Sequence, residues 1–74
     1  MATKIIWSPA AYADLESIHE YIARDSEVIA AIFIERILNT VDRLADFPLI
    51  GPRIREWKRS PYRHLIVSSY RIIY

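Results

Sequence analysis

Apolar residues recur along this chain with two different periods, and the change of period divides it. Ala11, Leu15, Ile18 and Ile22 stand at helical spacing and form one stripe. Ser8 precedes them as an N-cap with Pro9 at the first helical position, so a helix is expected over residues 9–25. Glu16, Glu20 and Arg24 lie opposite the stripe, the last two spaced as an i,i+4 ion pair. Trp7, Tyr12, Tyr21 and Phe33 are expected in the core or at its rim. Asp25-Ser26 breaks the pattern, and Ser26 can cap a second helix running to about residue 47. Its core stripe is Ala30, Phe33, Ile34, Ile37, Val41 and Leu44, with charged residues on the far side. Val28 and Ile32 depart from this order, being β-branched residues on the charged face. Two helices with so short a connection are antiparallel.

Beyond residue 47 the period changes. Two prolines and the only glycine, in Pro48-Leu49-Ile50-Gly51-Pro52, mark an ordered irregular loop, and residues 54–59 carry no clear pattern. Residues 63–67 and 70–74 read as strands, with Ser68-Ser69 between them. A two-residue turn sets Val67 opposite Tyr70, Leu65 opposite Ile72 and Arg63 opposite Tyr74. One face then carries Leu65, Val67, Tyr70, Ile72 and Tyr74 and suits packing on the helices. The other carries Tyr62, His64, Ile66, Arg71 and Ile73 and can meet a partner. Residues 4–7 form a further short β-type run. The fold class expected is α+β, an antiparallel helix hairpin packed on a small antiparallel sheet of residues 5–7, 63–67 and 70–74. Residues 1–74 form one domain.

Composition narrows the function. An apolar share of 53% is high for 74 residues and implies a partner surface or an oligomer. No apolar run approaches the roughly 20 residues of a membrane span, and no signal peptide precedes the first helix. The absence of cysteine excludes disulfides and thiolate metal sites and suits the cytoplasm. With His19 and His64 the only histidines, no metal or other cofactor is expected. The net charge of +1 hides a division into an acidic helical part and a basic part from Arg53 onward.

The residues Trp7-Ser8-Pro9-Ala10-Ala11, Asp14-Leu15, Ile18, Leu44, Phe47-Pro48, Gly51-Pro52-Arg53, Tyr62-Arg63, Leu65, Val67 and Tyr70-Arg71-Ile72-Ile73-Tyr74 occur together in order over nearly the whole chain. In this order the chain resembles the RelE/ParE superfamily of bacterial type II toxins, and within it the ParE-like branch. The resemblance implies a toxin, active in plasmid stabilisation and neutralised by a cognate antitoxin, that inhibits DNA gyrase by binding and not as an enzyme. It also implies a homodimer formed through the antitoxin complex. In the RelE-like branch the implied activity is ribosome-dependent cleavage of mRNA. Members of the family continue past the last strand into another strand and a basic tail, so a strand of the expected sheet is missing here. Residues 70–74 are then an apolar edge. Either the chain is a truncated form, in one reading a non-toxic binding module, or a partner supplies the strand.

Two sets of residues carry the candidate chemistry. Arg53, Arg55, Lys58, Arg59 and Arg63, with Trp57 and Tyr62 interleaved, form the only dense basic stretch, and Arg71 follows on the last strand. They can grip an acidic protein, the antitoxin or the target, with the aromatics as anchors. Direct DNA binding is not expected at this net charge. The competing reading is a solvated loop whose arginines pair with the acidic helices. Val28 and Ile32 are the candidate exposed apolar contact. No catalytic residue is assigned. Under the nuclease alternative the roles would fall to Arg63, Lys58 and His64, with Glu56 as an acid–base partner for His64.

Overall fold

The computed structural model describes residues 4–57 and 59–74. Helix α1 spans Pro9–Ala23 and helix α2 spans Glu27–Asp46. Each start is set by a serine: Ser8 Oγ accepts from Ala11 N–H at 3.0 Å, and Ser26 Oγ accepts from Ile29 N–H at 3.2 Å. The two helices pack on each other as the short Arg24–Ser26 connection requires. Arg24 is the C-cap of α1 and donates its backbone N–H to Glu20 O. The expected Glu20–Arg24 ion pair does not form, although Arg24 keeps helical backbone angles.

Strands β1 (His64–Val67) and β2 (Tyr70–Ile73) form an antiparallel hairpin with Leu65 opposite Ile72 and Val67 opposite Tyr70. Arg63 and Tyr74 extend the ladder by exchanging both backbone hydrogen bonds, at 2.6 and 2.9 Å. The expected register therefore holds, turned by Ser68-Ser69 with Ser68 at a φ of 57°. The α+β architecture is the one expected, with one correction. Residues 5–7 form no strand: residues 4–8 have no regular structure, and Ile6 is 81% exposed. Local β propensity does not make a strand without a ladder partner, and only Trp7 of this run packs against the core.

The core lies between α2 and the inner face of the hairpin. Ile37, Val41 and Val67 form its buried centre, with Trp7, Leu15, Phe33, Ile34 and Ile72 packed against it. The Phe33 and Tyr70 rings meet with centroids 5.6 Å apart. Ala30 and Leu44 complete the buried stripe of α2, as the periodicity predicts. Helix α1 buries no residue fully, and its stripe of Ala11, Leu15, Ile18 and Ile22 is half-buried. Tyr12 and Tyr21, expected at the core rim, are instead 57% and 68% exposed. A helix that covers only one side of its neighbour leaves its flanking positions to solvent.

Candidate functional site

The 47–63 segment is what joins the helices to the hairpin, and its backbone explains where the candidate residues stand. Arg53 forms an antiparallel bridge with Arg63, so a short piece of the loop runs along the outer edge of β1. Ile54 N–H donates to Tyr62 O at 3.2 Å and His64 N–H to Pro52 O at 3.1 Å. Ile54 is the largest fully buried side chain among the described residues, an anchor that the patternless 54–59 stretch did not announce.

Two side chains lock the glycine between the prolines. Tyr74 Oη accepts from Gly51 N–H at 2.8 Å, and Arg63 Nη1 donates to Gly51 O at 2.8 Å and to Leu49 O at 3.5 Å. A Cβ at Gly51 would press on His64 O and lie 2.6 Å from Tyr74 Oη. Arg63 is thus half-buried and its guanidinium faces main-chain carbonyls.

The remaining basic residues are exposed on this frame. Arg53, Arg55 and Arg59 reach solvent from the bridge and the turns that follow it. Arg71, on the solvent side of β2, meets Glu56 at 3.3 Å, the one ion pair among the described residues. Among the described residues Arg53, Arg55 and Arg59 make no ion pair with the acidic helices. Trp57 and Tyr62 stack edge to face with centroids 6.4 Å apart, and they stay 48% and 52% exposed. Lys58 lies outside the described residues.

Among the described residues considered for RNA cleavage, Glu56 and His64 make no hydrogen bond to each other. Glu56 is turned to Arg71. His64 Nδ1 is buried, with no hydrogen-bond partner among the described residues. Among those residues no group of three or more His, Cys, Asp or Glu side chains could hold a metal ion, and no helix is long and apolar enough to cross a membrane.

Val28 and Ile32 stand one turn apart on α2, 71% and 61% exposed. Ile32 borders a groove of about 610 Å³ between α2 and β1, whose other walls include Arg36, Arg43, Ile50, Leu65 and Ile66. The sequence pattern had placed Ile66 on the partner-facing side of the hairpin, but neither Arg36 nor Ile50 carries a signal that places it at a groove. That juxtaposition arises only when β1 packs beside α2.

The family model described as the ParE toxin of type II toxin-antitoxin system, parDE, matches residues 5–74. No curated protein and no solved structure matches the chain significantly.

Proposed function

The chain belongs to the ParE toxin family of type II toxin–antitoxin systems, and from that premise we propose that it inhibits DNA gyrase by binding, without chemistry of its own. Family membership implies a cognate antitoxin as partner. The observation that carries the binding surface is the loop itself. Arg53, Arg55 and Arg59 are exposed with no carboxylate partner among the described residues, beside a half-exposed Trp57–Tyr62 pair. Exposed guanidinium groups around aromatic anchors are the composition of an interface hot spot for an acidic protein surface. In this reading Arg71 belongs to the same surface, and Arg63 supports it through the Gly51 and Leu49 carbonyls.

The antitoxin is assigned to the groove between α2 and β1, with Val28 and Ile32 as its apolar contact and a homodimer formed through the antitoxin complex. An antitoxin seated there that also reached the loop arginines would compete with gyrase for them, which would give neutralisation a physical basis. The non-catalytic reading is supported by the pairing of Glu56 with Arg71, by the unpartnered His64 Nδ1 and by the engagement of Arg63 with backbone oxygens.

A supercoiling assay with purified protein and gyrase tests the proposal. Inhibition by the native chain, lost in an Arg53→Glu/Arg55→Glu/Arg59→Glu variant of unchanged stability, is the expected result. Unimpaired supercoiling at a large molar excess of native protein sinks it, and codon-specific cleavage of translated mRNA would put the ribonuclease in its place.

A further inference from the structure

Four residues of α2 stand in one row beside β1. At about 100° per residue, Ile32, Arg36, Asn39 and Arg43 fall within about 60° of one another, and all four line the groove of about 610 Å³ between α2 and β1. Arg36 and Arg43 are two turns apart, about 10 Å along the helix. Both are exposed, and among the described residues neither makes an ion pair, although Asp46 follows Arg43 by only three positions. Arg43 lies in the last turn of α2, where the helix dipole favours a cation. Arg36 is mid-helix and has no such role. Glu35 also borders the groove, but it is turned about 100° away from Arg36. The other side is apolar: Ile50, Leu65 and Ile66 line it, with Ile50 and Ile66 45% and 69% exposed.

We propose that Arg36 and Arg43 read the charge of the segment that fills this groove, and so decide which antitoxin is accepted. The occupant is an acidic amphipathic stretch of the antitoxin, with two carboxylates about 10 Å apart and apolar side chains for Ile32, Ile50 and Ile66. This rests on the assignment of the antitoxin to the groove and adds what separates a cognate antitoxin from another. Apolar walls select a protein over a nucleic-acid backbone, which offers phosphates and sugars but no side chain to bury against isoleucine. The arginines then set the sign. An uncharged apolar segment would cover two guanidinium groups without pairing them, which is costly. A segment with lysine at either place would meet like charge. Only carboxylates satisfy both the cations and the apolar wall. All the walls fall between residues 32 and 67, within α2, β1 and the loop that joins them.

The test is calorimetric titration of the full chain with its full-length cognate antitoxin, at about 0.05 M and about 0.5 M salt. Arg36→Gln/Arg43→Gln should weaken binding about tenfold or more at low salt and much less at high salt, where screening has already removed most of the attraction. Arg36→Glu/Arg43→Glu should weaken it about a hundredfold or more at low salt, and at least one single acid-to-lysine variant of the antitoxin should recover about tenfold of that loss. Glu35→Gln removes a negative charge from the same groove and should bind as tightly or more tightly. Native affinity in both double variants, a loss that salt does not change, no recovery by any antitoxin variant, or weakening by Glu35→Gln would overturn the proposal. Both arginines are exposed, and an unchanged urea midpoint places any loss at the interface. The parent reading fails separately. Native affinity in the arginine variants with a loss in Val28→Asp or Ile32→Asp keeps the antitoxin in the groove and removes only the charge reading, whereas native affinity in all of them removes the antitoxin from the groove.

Discussion

The hydroxyl of Tyr74 accepts a hydrogen bond from the amide of Gly51 at 2.8 Å, across 23 positions of sequence. The bond ties the loop between the prolines to the far end of β2. It also places a part-buried N–H where only that hydroxyl satisfies it. Tyr74→Phe keeps the ring and removes the acceptor, and should destabilise the fold by about 1 kcal/mol. Gly51→Ala should cost more, about 2–3 kcal/mol, since the new methyl meets the His64 carbonyl, which is backbone and cannot swing aside. Urea midpoints of both variants measure this ordering; a Gly51→Ala variant as stable as the native chain would contradict it.

Arg63 works in the same lock from the other side. Its guanidinium holds the Gly51 and Leu49 carbonyls, so Arg63→Ala should lose about 1–2 kcal/mol. Arg63→Lys should recover only part of that loss, because the ammonium is more strongly hydrated than a guanidinium and ends a shorter side chain than the one whose Nη1 meets both carbonyls. In a gyrase assay the Arg63→Ala defect should shrink when the assay is cooled below its melting midpoint. An Arg63→Ala variant fully folded yet wholly inactive would instead put the guanidinium at the target.

The elements legible in the sequence are those fixed by near neighbours. Ser8 and Ser26 cap the helices within three residues of themselves, and Ser68-Ser69 sets the register of the hairpin across a two-residue turn. What the pattern misses is decided at a distance. Residues 5–7 carry strand propensity, yet they form no ladder with another strand. Gly51 reads only as a turn residue, and nothing local says that Tyr74 and Arg63 converge on it. Glu56 reads as a candidate acid or base until the fold brings Arg71 within 3.3 Å. The basic stretch of the candidate site was visible as composition, while its division into a half-buried brace at Arg63 and exposed arginines at 53, 55 and 59 needed the bridge between Arg53 and Arg63.

The turn offers a stabilising change. Ser68 holds a φ of 57°, a left-handed conformation that costs a residue with a Cβ about 1 kcal/mol. Ser68→Gly removes that cost and adds a smaller one from the freer unfolded chain, for a net gain of about 0.5 kcal/mol. Ser69 is not at positive φ, so Ser69→Gly should lose about 0.5 kcal/mol instead. Opposite shifts in the thermal midpoint of the two variants are the expected outcome; shifts of the same sign would refute the assignment of strain to Ser68.

The ion pair between Glu56 and Arg71 is exposed, at 60% and 42% of side-chain surface. A pair so wet contributes little, and Glu56→Gln should change the stability of the monomer by less than about 0.5 kcal/mol. Measured at low protein concentration by urea unfolding, a larger loss would mean that the pair braces the 55–57 turn against the hairpin and not merely balances a charge.

The final prediction concerns the apolar pair on α2. Val28 and Ile32 are mostly exposed, so replacing either by aspartate removes little buried surface and should alter stability by no more than about 0.5 kcal/mol. If the antitoxin covers them, each substitution buries an unpaired carboxylate in the complex or forces a gap to admit water. Affinity for the cognate antitoxin should then fall about tenfold or more per site, while inhibition of gyrase by the free toxin stays unchanged. Calorimetric titration with the antitoxin, beside the supercoiling assay, separates the two effects. Val28→Asp and Ile32→Asp variants that bind the antitoxin as tightly as the native chain would remove this face from the contact. Loss of gyrase inhibition with antitoxin binding intact would move the target itself onto α2, and the loop arginines would need another role.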